Sequence, residues 1–299
     1  MEPCLSPEKN FTHQAHQWLT SDGVTLMGEE IRADTPASVL FAHGFGQTRQ
    51  SWSGAQLALA QEGIGSVAWD MRGHGESGRN TEALHYQAEQ FAEDVHLVSK
   101  QFTTKPLLVG ASMGGLTGMM VQAKYDAFSA LVLVDVTPRW EIAGVARIMA
   151  FMNAFPDGFD SYEHAADVIA NYLPQRRMRK NSKQLKFLLR EYRGRFFWHW
   201  DPRMLTEFVE NSEHLQDAIR EAARQIRVPT LLISGGKSDI VSSHTVEDFL
   251  QLVPHALHHH LPHATHMVAG DDNDAFNDTL LNFKRTLSQQ PYAVTGVSV

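Results

Sequence analysis

The 299-residue chain has one cysteine, Cys4, so no disulfide can form within it. It has no run of about 18 apolar residues, so no membrane span is expected. Positive charge is in deficit, with 26 Lys and Arg against 34 Asp and Glu and a formal net charge of −8. A surface of that sign disfavours a phosphate backbone, and no nucleic acid is expected as a partner. The first residues, "MEPCLSPEKNF", show no charged segment followed by an apolar one, so no secretory leader is expected. With the lone cysteine, this points to a cytoplasmic location. Internal repeats, low-complexity linkers and CxxC or HExxH spacings are all missing, and neither a metal nor a cofactor is expected.

Histidine, in contrast, is abundant: 16 residues, six of them in "HALHHHLPHATH". Consecutive histidines on a strand point to opposite faces, so this run reads as a strand and loop with exposed imidazoles rather than a metal site.

Along the chain, short apolar runs alternate with helix-like segments. This pattern predicts an α/β fold with a mostly parallel, doubly wound sheet covered on both faces. "QWLTSDGVTLMGEEI" reads as an opening hairpin turning at Ser21-Asp22-Gly23. Buried strands follow at "SVLFA", "GSVAWD", "PLLVG", "ALVLVD", "VPTLLISG" and "PHALHHHL". The spacing of Phe91, Val95, Val98 and Phe102 predicts an amphipathic helix, and "DDNDAFNDTLLNFKRTL" a closing one. From about Pro138 to Leu205 no buried strand appears. The helix-like segments "GVARIMAFMNAF", "SYEHAADVIANYL" and "KQLKFLLREYRG" occupy this interval, followed by the aromatic cluster "RFFWHWDPR". The expected organisation is a core at 10–138 and 206–290 with a helical cap at 139–205 inserted between sheet strands. Trp198 and Trp200 are expected to roof a substrate pocket, and Met149 and Met152 add to its apolar character. The basic run Arg176, Arg177, Arg179 and Lys180 reads as a solvated face.

In such sheets ligands bind beyond the carboxyl ends of the strands. Those ends carry "HGFGQ", "DMRGHGES", "GASMGG", "DVTP", "GGKSDIV" and "HATHM". "GASMGG" fits G-x-S-x-G between a strand and a helix, which makes Ser112 the candidate nucleophile on a tight turn that leaves room only for small neighbours at Gly110 and Gly114. A serine hydroxyl needs a base to take its proton. His266, on the loop after the last strand, is the expected base, with His263 as a rival three residues earlier. Asp239 in "GGKSDIV" is the expected acid, and Asp135 at the end of "LVLV" is the alternative; a carboxylate at either place could orient the imidazole. The backbone N–H groups of Phe45 and Met113 are the expected oxyanion donors. His43 is expected to hold the Phe45 loop, and Asp70, Arg72 and Ser77 to order the loop beside it.

These motifs, in this order, resemble the α/β-hydrolase fold superfamily from about residue 15 to 288, and most closely its lidded branch of esterases, cofactor-free haloperoxidase-like enzymes, C–C bond hydrolases, epoxide hydrolases and haloalkane dehalogenases. The resemblance maps Ser112 to the nucleophile, Asp239 to the acid, His266 to the base, and Phe45 and Met113 to the oxyanion hole. Epoxide hydrolases and dehalogenases place an aspartate where this chain has Ser112. A serine would leave an alkyl ether with no carbonyl for water to attack, so the resemblance implies acyl chemistry. The expected function is hydrolysis of an ester-type bond in a small, largely apolar molecule through an acyl-enzyme. The same triad would serve a C–C bond hydrolase or an acyltransferase, and a ligand receptor with little turnover is the more distant alternative.

Overall fold

The computed structural model describes residues 11–172, 185–205, 212–271 and 273–289. Strands β1 (Thr12–Leu19) and β2 (Thr25–Arg32) form the expected hairpin at one edge of an eight-stranded sheet. The other strands are β3 (Val39–Ala42), β4 (Ser66–Asp70), β5 (Leu107–Ala111), β6 (Ala130–Val134), β9 (Thr230–Gly235) and β10 (Leu257–Leu261). Their spatial order is β1-β2-β4-β3-β5-β6-β9-β10. The hairpin and the β2–β4 pair are antiparallel, and every other pair is parallel.

The central strands are apolar on both faces because both are covered. Phe41, Val109, Val132 and Ile233 pack with Trp52 and Leu59 and, from the closing helix, Phe276 and Leu280. Leu40, Leu108, Leu131 and Leu232 point the other way, onto Val95, Met119, Ile219 and Phe249. Helix α1 (Ser53–Gln61) and the closing helix α8 (Asn273–Gln289) contact each other on the first face. Helices α2 (Ala88–Ser99), α3 (Met113–Tyr125), α6 (Ser212–Arg224) and α7 (Ser243–Leu252) cover the second. The expected stripe on α2 buries Phe91, Val95 and Val98, and a Gln87–Gln90 capping box satisfies its first turn.

Between β6 and β9 the chain forms α4 (Ile142–Met152), α5 (Tyr162–Tyr172), and the strands β7 (Leu189–Tyr192) and β8 (Arg195–Trp198), before α6. Phe159, Ala165, Ile169, Leu185 and Leu189 give this insertion a small core of its own. A helical cap was expected, with no buried strand in it. Its third segment instead ends in a two-stranded hairpin, with Leu189 opposite Trp198 and Tyr192 opposite Arg195. Arg193 and Gly194 have φ of 51° and 74°, the two-residue turn that suits a hairpin's twist, and the strand after it is aromatic. The leucines before the turn fit either period and hid it. The basic run at 176–180 lies outside the described residues. The histidine run lies on β10, the far edge of the sheet, where His258, His259 and His260 are exposed.

Candidate active site

The parallel register brings the strand ends to one rim. Ala42 lies opposite Gly110, Ala111 opposite Val134, Val134 opposite Ile233, and Gly235 opposite Leu261. The residues just beyond β5 and β6 are Ser112 and Asp135, so the rim sets them side by side.

Ser112 closes β5 and opens α3 with φ 46° and ψ −118°, a conformation that L-residues rarely adopt. Strain of this kind costs on the order of 1–3 kcal/mol and persists only where the surroundings enforce it. Here Ser112 N–H donates to Val134 O at 3.2 Å, while its own carbonyl accepts from Gly115 and Leu116 at 2.9 and 3.0 Å. Space explains the flanking glycines. A Cβ on Gly110 would lie 2.6 Å from Gly115 N, and one on Gly114 would lie 2.3 Å from Ala42 O.

His266 lies on the loop after β10. Its Nδ1 is 2.7 Å from Asp135 Oδ2, and Asp135 is fully buried. Asp135 also has a positive φ of 48°, and it accepts from Gly235 N–H at 2.8 Å and from Ser238 Oγ–H at 2.5 Å. Three donors thus compensate for removing this carboxylate from water. They also fix the tautomer: Nδ1 carries the proton toward Asp135, and Nε2 is left as the acceptor nitrogen of the ring. The histidine loop reaches this position because Gly235 and Gly236 carry no side chain, since a Cβ on either would stand 2.6 Å from a carbonyl of that loop. Lys237 N–H then donates to Ala264 O at 2.9 Å.

The expectation that Asp239 partners His266 is corrected by this geometry. Asp239 lies four residues past the end of β9, after the chain has turned away from the rim, and its Oδ2 pairs with Arg147 of α4 at 3.2 Å. Ser238, just before it, is the residue that turns back to Asp135. The rival base His263 is exposed, and His266 is half-buried.

Ser112, His266, Phe45, Met113, Trp198 and Trp200 all line one cavity of about 590 Å³, and Asp239 lies on the same wall. The two indoles stack at 4.6 Å with planes 14° apart. Met149, Met152, Phe151 and Ile148 of α4 make most of the remaining wall apolar. Phe45 sits in the turn Gly44–Gln47, which is closed by Gln47 N–H to Gly44 O at 3.1 Å and by Gly44 N–H to Gln47 Oε1 at 3.1 Å.

Behind this turn, "DMRGHGES" forms a buried network. Asp70 accepts from Arg49 N–H at 2.7 Å and Glu76 N–H at 3.0 Å. Arg72 forks onto Asp94 at 2.6 and 2.7 Å and reaches Asp22 and Asn80. Ser77 accepts from Met27 N–H at 2.9 Å. Sequence reasoning missed His74 and His199, which are buried beside His43. The only hint of His74 was its place in a strand-end motif. His199 was marked only as a member of the aromatic cluster, because it meets the other two histidines only through the hairpin.

The chain is 23% identical over 275 residues to the 3-hydroxybutyrate-oligomer hydrolase of Cupriavidus necator, spanning 88% of this chain and 89% of that protein. It is 22% identical over 293 residues to the 2-hydroxy-6-oxo-6-(2'-aminophenyl)hexa-2,4-dienoic acid hydrolase of Metapseudomonas resinovorans, spanning 92% and 93%. Its fold superposes on the crystal structure of E-2-(acetamidomethylene)succinate hydrolase with a TM-score of 0.78 at 20% identity, covering 92% of this chain and all of that one. No helix among the described residues is long and apolar enough to cross a membrane. The profile of the alpha/beta hydrolase family matches residues 39–279, and with the sheet order and the strand-end site this places the chain in the alpha/beta hydrolase family.

Proposed function

We propose that this protein is a serine hydrolase that opens an ester-type bond of a small, largely apolar substrate through an acyl-enzyme. The observation that carries the reading is the contact of buried Asp135 with half-buried His266, which lines the same cavity as Ser112. In this reading His266 Nε2 takes the Ser112 hydroxyl proton as Oγ attacks the carbonyl carbon. The oxyanion that forms is held by the N–H groups of Phe45 and Met113. Asp135 stabilises the imidazolium, which then protonates the departing alcohol. Water, deprotonated by the same histidine, releases the acid and restores Ser112.

Donors preorganised at an oxyanion are typically worth about 3–4 kcal/mol each, and acid–base transfer about 10²–10⁴-fold. The insertion 139–205 acts as the lid: α4 and the end of the β7–β8 hairpin supply the apolar wall that excludes water and selects the acyl or alcohol group. The hydrolase names of the relatives support the reaction class, and the C–C hydrolase among them keeps that bond type as the alternative for the same residues.

The test is a panel of p-nitrophenyl esters of increasing chain length, run with fluorophosphonate labelling on wild type and Ser112→Ala. Wild type should turn over and be labelled, and the variant should do neither. A variant as active as wild type would remove Ser112 from the chemistry.

A further inference from the structure

Three imidazoles stand in a buried row behind the Phe45 turn. The ring centroids of His43 and His74 are 5.0 Å apart, and those of His74 and His199 are 5.8 Å apart. Each ring bridges two backbone groups. His43 accepts Met71 N–H at Nε2, 2.9 Å, and donates from Nδ1 to Gly44 O at 2.8 Å. His74 accepts Gly46 N–H at Nε2, 3.1 Å, and donates from Nδ1 to Arg72 O at 3.1 Å. His199 accepts Gly75 N–H at Nδ1, 2.8 Å, and donates from Nε2 to Gly46 O at 3.3 Å.

A ring that accepts with one nitrogen and donates with the other must be neutral. Burial enforces this in all three, holding each pKa below the ordinary histidine range and that of His199 at about 3. Gly46 is therefore held from both sides, at its N–H by His74 and at its carbonyl by His199. It has φ 73°, and as a glycine it has no Cβ to restrict its backbone angles. The residue before it is Phe45.

The origins of the three rings differ. His43 follows β3 and His74 follows β4, both in the sheet core. His199 follows β8, in the insertion. Its neighbours anchor the same junction: Asp201 N–H donates to Gly73 O at 2.9 Å, Arg79 donates to His199 O at 2.9 Å, and Arg190 of β7 donates to Gly75 O.

We infer that His199 is a positioning residue for the oxyanion turn, carrying the placement of the β7–β8 hairpin through Gly46 to the Phe45 N–H. The oxyanion hole is then completed by the insertion rather than by the core alone. The inference rests on the proposed role of Phe45 as an oxyanion donor.

His199→Phe keeps an aromatic ring and removes both hydrogen bonds. His199→Gln keeps one donor and one acceptor, and His199→Asn is too short to span Gly75 and Gly46. Steady-state kinetics on p-nitrophenyl acetate should show kcat falling about 100-fold in His199→Phe with KM changed less than about threefold, the size expected for a displaced oxyanion donor. Gln should recover to within about tenfold of wild type, and Asn should not. Affinity for a phenylboronic acid, whose tetrahedral adduct places an oxygen in the oxyanion hole, should fall in step with kcat. A folded His199→Phe with wild-type kcat overturns the inference. If His199→Phe does not fold, equal kcat in the Asn and Gln variants overturns it instead. A wild type that neither hydrolyses the ester nor reacts with a fluorophosphonate brings down the serine-hydrolase reading itself, and the inference falls with it.

Discussion

His266 holds Asp135 at 2.7 Å across 131 residues of sequence, and the carboxylate it holds has no exposed surface. The pair joins the loop after β10 to the end of β6, two strands away in the sheet. Asp239 stands on the same cavity wall but pairs with Arg147. The identity of the acid is thus open to a direct comparison of two asparagine variants.

Asp135→Asn should lower kcat by about 10²–10⁴-fold, because an amide N–H can donate to Nδ1 and so favour the wrong imidazole tautomer, and a neutral amide cannot balance the imidazolium. Asp239→Asn should change it by less than about tenfold, since it breaks one half-exposed ion pair. Rates on p-nitrophenyl acetate decide this, and a larger loss in Asp239→Asn would restore that residue as the acid.

Gly114→Ala puts a methyl group 2.3 Å from Ala42 O, where α3 and β3 meet. Both sides are backbone, so the helix must shift. The expected cost is about 1–3 kcal/mol of stability. It should appear as a lower urea midpoint with an unchanged slope, accompanied by loss of fluorophosphonate labelling as the Ser112 turn moves. An unchanged midpoint would show that α3 can retreat freely.

Trp198→Ala should enlarge the cavity beside Phe151 and Trp200, both of which pack on this indole. Relative kcat/KM should move toward longer or bulkier p-nitrophenyl esters by about tenfold, the scale of one or two methylenes in an apolar pocket. A uniform drop across the panel would place Trp198 in the packing of the insertion rather than on the substrate.

Acid stability should report the neutral histidines. An unfolded histidine binds a proton below about pH 6.5, whereas His199 in the fold does so only near pH 3. Between those values the unfolded state holds more protons, so stability is full above pH 6.5 and falls as pH drops. The slope is about 1.4 kcal/mol per pH unit for each such ring. His43 and His74 act in the same direction. His199→Phe should unfold more easily at pH 7 yet lose stability less steeply below pH 6, by about one proton's slope. Parallel urea titrations of both proteins from pH 7 to 4.5 measure the difference, and parallel slopes would mean that His199 is charged in the fold.

Much of the core was legible because its signals are local. Leu107–Val109 must be buried on both faces, Gly110 and Gly114 leave the space that a serine turn needs, and Phe91, Val95 and Val98 share one side of a helix. The hairpin at 189–198 was not legible, because Leu185, Leu188 and Leu189 fit a helix as well as a strand and only the Arg193-Gly194 turn decides between them. The choice between Asp135 and Asp239 was not legible either. Both follow an apolar strand, and the sequence does not say which side chain a loop more than 100 residues away will meet.

The sequence by itself determined the tight Gly-x-Ser-x-Gly turn, the alternation of strands and helices, and the set of polar residues gathered at the strand ends. These follow from sterics and periodicity within a few residues. Only the tertiary structure decided which of them meet. Strand order set β6 between β5 and β9, so that Asp135 came beside Ser112 and under His266. Docking of the hairpin brought His199 against Gly46. Such pairings are fixed by burial and register across the whole sheet, and no short stretch of sequence contains them.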